Sequence, residues 1–331
     1  MSDTRPSKFL RWLVASRMPL ILAALLVIMN IVTDGTLLRP DNLINVMRQV
    51  SFEALIAFGM TLVIVTGGID LSVGSLVALT GVVAAIVMRA TAAWSPGWSV
   101  AAGLICGLAT GAGVGAGSGA IVARFSIPPF IVTLAAMLIA RGFAFILCGG
   151  RPVFELPPEL LWFGRGFVLE SVLGKWIPVP VLIMLFVFVA VATLLSKTVL
   201  GRGIIAVGSN EEAARLAGIP VRRTKLLVYL ITGSLAGLAG VLHTAYLSAG
   251  DPKVGTMWEL NVIAAVVVGG TSLFGGRGSV FGTLVGVLII GVLNNSLNLR
   301  GVEHFWQQAV LGGVILLASL VDAGLRRLDI R

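Results

Sequence analysis

A chain that repeats apolar runs approaching 20 residues has few ways to fold, because a helix of that length crosses a hydrocarbon core about 30 Å thick. The runs here are Met18–Val32, Ser51–Thr66, Leu71–Val87, Val100–Ala123, Phe130–Leu147, Pro178–Leu195, Leu226–Leu247, Leu260–Gly270, Val280–Leu297 and Phe305–Val321. Several are too short to cross fully on their own. They predict an all-α polytopic membrane protein of about ten transmembrane helices. Composition excludes a soluble globule. Charged residues are 12% and hydrophobic residues 57% of the 331, against about a quarter charged in soluble domains.

The formal net charge of +9 is not the mark of a nucleic-acid partner, since no basic stripe is interleaved with aromatic residues. It reads instead as cytoplasmic loops rich in Lys and Arg, facing anionic membrane lipid. With the N-terminus inside, the basic residues gather in the tail 1–17, the loop 197–225 and the tail 322–331, while the loop 149–177 sets Glu155, Glu159 and Glu170 against three basic residues. The expected layout is two cytoplasmic tails around a transmembrane domain 18–321, with the 149–177 loop external. An even number of spans follows. The first run lacks a small-x-small cleavage site and reads as an uncleaved span. Cys106, Cys148, His243 and His304 show no metal-ligand spacing, and all four read as packing or interfacial residues.

Gly103, Gly107, Gly111, Gly115 and Gly119 recur every four residues, with Gly113 and Gly117 beside them. At 3.6 residues per turn such a repeat makes one bare stripe, on which another helix backbone can settle closely. The stripe suits tight packing or an interface that slides.

Three segments carry the functional signal. In Thr66-Gly-Gly-Ile-Asp-Leu-Ser-Val-Gly-Ser75 two glycines and a carboxylate break a nearly continuous apolar stretch. Irregular backbone at membrane depth is tolerated only where it is buried in protein or lines a wet cavity. Gly67, Gly68, Asp70, Ser72 and Ser75 therefore mark either a broken hairpin on a solute path or a turn in which Asp70 caps the next helix. Gly269-Gly-Thr-Ser-Leu-Phe-Gly-Gly-Arg-Gly-Ser279 repeats that layout, with Gly269 and Gly270 leading. The third segment lies in the 197–225 loop. Asn210 is a good N-cap, Glu211 and Glu212 suit a helix N-terminus and Arg215 its other end, while Ala213, Ala214, Leu216 and Ala217 favour helix and Gly218 with Pro220 stops it. A helix so short is marginal alone, and it suits docking into a partner's groove.

Glu212-Ala-Ala-x-x-x-Gly218 resembles the coupling-helix motif of ABC importer permeases, and the two Gly-Gly segments look like the ribose-type branch that imports simple sugars. The resemblance spans about Asn42 to Asp322. The fuller motif continues Ile-x-Leu-Pro where this chain has Val228-Tyr-Leu-Ile231, a departure that fits the sugar branch better than the maltose-type one. The resemblance implies a multi-pass protein of the bacterial inner membrane and a channel of two permease chains, with a homodimer expected. It also implies a separate ATPase that binds ATP and magnesium, and a periplasmic or lipid-anchored sugar-binding protein. Residues 210–216 and Gly218 would couple to the ATPase. This chain would hold no cofactor, and it has no G-x-x-x-x-G-K-[ST] phosphate loop.

The groups expected along the solute path are Thr61, Asp70, Ser72, Ser75, Asn294 and Asn295, together with the paired glycines. Asn294 and Asn295 lie within an apolar run and serve either interhelical bonding or solute contact. The rival reading is an ion-coupled secondary transporter of a small polar solute. Such carriers usually bury ionisable groups, and only Asp70 and Arg141 are expected to qualify here.

Overall fold

Proline sets where several helices begin. Pro40, Pro96, Pro129 and Pro180 stand in the first turns of four helices, where a fixed φ is helical already and the missing N–H has no partner to lose. The computed structural model describes residues 8–168, 170 and 174–327. The helices are α1 (Lys8–Val32), α2 (Pro40–Val65), α3 (Val73–Ala90), α4 (Pro96–Phe125), α5 (Pro129–Leu147), α6 (Leu160–Arg165), α7 (Val179–Lys197), α8 (Val199–Ser209), α9 (Glu211–Leu216), α10 (Val221–Leu247), α11 (Trp258–Val268), α12 (Val280–Leu299) and α13 (His304–Arg327). Among the described residues β contact is limited to two isolated bridges, Val153 with Gly250 and Phe167 with Pro178.

Seven helices, α2, α3, α4, α5, α7, α10 and α12, are long and apolar enough to cross a membrane, and α1, α8, α11 and α13 carry shorter apolar stretches. Each of the ten runs falls on a helix, but the bounds differ: some helices outreach their run, while α3 and α11 fall short of theirs by two residues at one end. α2 starts at Pro40 and not Ser51 because Asp41, Asn42 and Arg48 interrupt its apolar pattern. α1 starts at Lys8 and not Met18. The tails 1–7 and 328–331 and the side chain of His304 lie outside the described residues.

α2 is the axis of the bundle. Its stretch from Ser51 to Val65 is apolar on nearly every side, and there every residue but Glu53 is buried, as an all-round apolar helical segment must be. α10, α12, α7 and α11 pack around it. The outer helices α5 and α7 turn Ile139, Ile146, Phe186 and Val189 outward, where lipid takes the place of a protein neighbour.

The glycine stripe of α4 meets α10 backbone to backbone, in antiparallel register. A Cβ at Gly111 would run into the carbonyl of Gly233, one at Gly115 into that of Tyr229, and one at Gly119 would lie 2.9 Å from the Tyr229 Cβ. Gly113 and Gly117 face open space. Dispersion over such a close approach is what drives helix association in lipid.

Besides the Gly269–Ser279 segment between α11 and α12, two stretches among the described residues leave the helical path inside the bundle. After α2 the chain turns at Gly67, whose φ is 80°, and residues 68–72 run back beside α10 before α3 begins. Gly68 lies under the Tyr229 hydroxyl, and Thr133 of α5 donates to the Ile69 carbonyl at 3.1 Å. α10 in turn ends at Ser248 in the left-handed region. Residues 248–257 then descend along α3, with Gly250 against Gly81 and Gly255 against Gly74. The first break is legible in the Gly-Gly segment. The second escapes a hydropathy reading, because Asp251, Pro252 and Lys253 look like an ordinary surface turn.

Candidate functional site

The helix signal in 210–218 is realised residue by residue. Asn210 Oδ1 accepts from the Ala213 N–H at 2.9 Å, and Glu211 and Glu212 occupy the first turn. Arg215 donates to the Glu212 carboxylate at 2.6 Å, which pushes the guanidinium pKa up. Gly218, at φ 80°, ends the helix, with its N–H on the Arg215 carbonyl and that of Ile219 on Ala214. Ala214 is buried and Leu216 is 80% exposed. Lys225 of α10 donates to Glu211 at 2.7 Å, which ties this outward-facing turn to a long helix. Sequence reading missed α8, taking its residues for loop. Its Gly201, Gly203 and Gly208 dilute the helical pattern, and Thr198, which accepts from the Gly201 N–H at 3.1 Å, is its cap.

α8 carries the turn into the bundle. At Gly208 a Cβ would collide with the Val65 carbonyl and lie 2.7 Å from the Gly276 N–H nitrogen. That N–H donates to the same Val65 carbonyl at 2.9 Å. Gly275 packs against both Gly208 and Gly67, and Gly276 against Ser209. The two Gly-Gly segments and the chain just before α9 thus meet at one point, at the same end of the bundle. Glycine at 67, 275 and 276 serves positive φ angles of 80°, 82° and 73°.

The polar groups expected along the solute path divide. Asp70 accepts from the Ser72 N–H at 2.9 Å and hydroxyl at 2.6 Å, and all of Asp70, Ser72 and Ser75 are buried. Thr61 shares a 2.6 Å hydrogen bond with Thr283 across α2 and α12. Gly269 sits against the Gly282 carbonyl, and Gly270 turns with φ 88°. Asn295 exchanges hydrogen bonds with Asn42. Asn294, one residue earlier, lines two cavities and has no hydrogen-bond partner among the described residues. His243 packs edge-on against Phe52 and Trp258.

The expectation that only Asp70 and Arg141 are ionisable groups inside the bundle is corrected. Glu259 and Arg48 are buried too, and Glu53 of α2 is held by Asn261 of α11. In the sequence Glu53 and Glu259 stand near the ends of apolar runs, where a charge is easily assigned to an interface. Glu259 comes close to Gly74 at the start of α3, and a carboxylate is favoured by a helix N-terminus.

Arg141 of α5 holds the descending segment by donating to the carbonyls of Pro252 at 2.8 Å and Val254 at 2.7 Å. Hydrogen bonds from a charged donor contribute about 1.5–3 kcal/mol each. Arg141→Leu is therefore expected to speed amide exchange across 250–257 by at least about tenfold, leaving α4 and α10 protected. Hydrogen-exchange mass spectrometry reads this directly, and unchanged exchange in 250–257 would remove Arg141 from that role.

Comparison with known proteins shows the family. The profile of the family described as "Branched-chain amino acid transport system / permease component" matches residues 42–319. The chain belongs to this permease family. The permease is 45% identical over 300 residues to the ribose import permease protein of Bacillus subtilis, covering 90% of this chain and 89% of that one. It is 45% identical over 307 residues to the ribose import permease of Escherichia coli K12 (91% and 92%). It is 39% identical over 312 residues to the L-arabinose ABC transporter permease of Azospirillum brasilense (94% and 88%). No solved structure matches. The permease is a multi-pass membrane protein and a transport subunit, not the subunit that hydrolyses ATP.

Proposed function

We propose that this chain is the membrane-spanning permease of an ATP-driven importer for a monosaccharide or a related small polar solute. The observation that carries the reading is the junction of Gly208 with Gly67, Gly275 and Gly276, which links the exposed α9 turn to both Gly-Gly segments. Relatives whose names specify ribose and arabinose, matched over about nine-tenths of the chain, support a sugar as solute.

In this reading Asn210–Leu216 and Gly218 dock into a separate ATPase, which binds ATP and magnesium. Both tails and the 197–225 loop face the cytoplasm, and the 149–177 loop faces a periplasmic or lipid-anchored binding protein. A second permease chain, expected to be identical, completes the channel in the bacterial inner membrane. Closure of the ATPase pulls on α9. Lys225 passes the pull to α10 and Gly208 passes it to the turns after α2 and α11. The rigid contacts convert it into a change of access. Thr61, Asp70, Ser72 and Ser75 keep the irregular segments in shape, and Asn294 faces the solute.

The test is reconstitution of the permease in proteoliposomes with an ATPase and a binding protein. Labelled sugar is expected to accumulate only when ATP and binding protein are both present. Uptake by the permease alone, driven by a sodium or proton gradient, would overturn the proposal in favour of a secondary transporter.

A further inference from the structure

The partly open cavity between α11, α12 and α13 has a volume of about 170 Å³. Drug-sized sites run to about 300–1,000 Å³, so this one suits a single small ring. Its polar wall consists of Thr256, Asn261, Asn294, Gln307 and Gln308, and its apolar wall includes Trp258 with Leu260 and Leu311. Among the described residues no charged side chain lines it. We infer that this cavity is a subsite for one neutral monosaccharide ring, with Asn294 as its principal hydrogen-bonding group. The inference rests on the importer reading above and goes beyond it by placing the solute.

Three features support the assignment. Asn294 and Asn295 are adjacent amides in one apolar run, yet they are used differently. Asn295 is satisfied by Asn42 of α2 at 2.9 and 3.2 Å, whereas Asn294 has no partner among the described residues. Its amide is half-buried and unspent on the protein, so it is free to bond whatever polar group enters the cavity. Its C=O and NH₂ together match a hydroxyl, which both donates and accepts.

The other groups are fixed in advance. Gln307 uses its NH₂ on Asn298 Oδ1 at 2.7 Å and on the Val302 carbonyl at 2.8 Å, so its Oε1 is turned to accept. Asn261 is steadied by Glu53. Trp258 is held edge-on by His243, with ring centroids 5.1 Å apart, and gives the apolar face of a sugar ring something flat to lie against. Pre-ordered amides beside an aromatic ring make few demands on the incoming solute. The third feature is the absence of lining charge. A sugar phosphate or sugar acid would enter without a counter-ion, which a poorly solvated site penalises heavily.

The decisive experiment uses the reconstituted complex with Asn294→Leu, alongside Asn294→Ser in case the leucine variant does not fold. Asn294→Leu is expected to lower sugar flux by about tenfold, equivalent to about 1.4 kcal/mol, while binding-protein-stimulated ATP hydrolysis stays within about twofold of the parent. Asn294→Ser should fall between. A second readout is Asn294→Cys with Cys106 and Cys148, the two free cysteines, replaced by serine. Its labelling by a small maleimide should slow when neutral monosaccharide is added and stay unchanged with a sugar phosphate. Full flux in Asn294→Leu, or equal protection by neutral and charged sugars, would overturn the subsite while leaving the importer reading intact. Absence of sugar uptake by the parent complex would instead overturn the importer reading, and the subsite with it.

Discussion

Gly208→Leu is expected to abolish transport, lowering sugar uptake by well over tenfold in proteoliposomes carrying the full importer. The reason is geometric. The new Cβ would have to occupy the place of the Val65 carbonyl and crowd the Gly276 nitrogen. Both are backbone atoms, and neither yields as a flexible side chain would. α8 must lift away, and the Gly276–Val65 hydrogen bond must lengthen or break. The α9 turn remains capped by Asn210 and so is expected still to bind its ATPase, giving a complex that forms but does not move solute. Gly203→Ala on the same helix is the control. Its nearest atoms are 3.6 and 3.7 Å away, an ordinary contact distance, and alanine is the better helix former. Uptake should be unchanged there. Near-parental uptake by Gly208→Leu would show that the junction does not transmit movement.

The second large effect is on folding. Gly115→Leu places a side chain against the Tyr229 carbonyl and within 3.0 Å of the Gly233 Cα position, where two helix backbones already touch. Overpacking ordinarily costs about 1–3 kcal/mol, occasionally more. A collision between backbones lies at the upper end of that range, because no side-chain rotation relieves it. The variant is expected to be lost from the membrane, or to unfold in detergent well below the parent temperature. Gly113→Leu, one step round the same helix, meets nothing within 4 Å and should match the parent in yield and melting. Equal damage at 113 and 115 would mean that the stripe as drawn is not the α4–α10 seam.

That contrast shows what each level of description contributes. The four-residue glycine repeat is visible in the sequence, and so is the close approach it permits. Which helix fills the stripe is not visible, because Gly233 and Gly237 of α10 are more than a hundred residues away and nothing local pairs them with Gly111. The same holds for the polar pair. Two adjacent asparagines in an apolar run announce that amides need partners, but the 3.6-residue period sends them to different faces. Only the placement of Asn42 shows that Asn295 is the satisfied one.

The caps of α9 and the breaks at Gly67 and Gly269 were legible because each depends on a few neighbouring residues. Asn210 caps whatever follows it with helical propensity, and Gly-Gly interrupts a helix wherever it stands. The descending segment 248–257 was not legible. Its polar residues are those of a surface turn, and partners far away in the chain hold it: Arg141 takes the Pro252 and Val254 carbonyls, and Val153 pairs with Gly250.

By itself, then, the order of residues determined that this chain lives in lipid, roughly where its long apolar helices run and where the Gly-Gly breaks fall, since hydrophobic length, caps and glycine act over a few turns at most. The tertiary structure alone decided that three distant glycine-rich stretches share one contact, that Glu53 and Glu259 lie inside, and that Asn294 faces an open cavity. Those outcomes depend on which surfaces come together across the bundle, and close packing between segments far apart in the chain leaves no periodic trace in either of them.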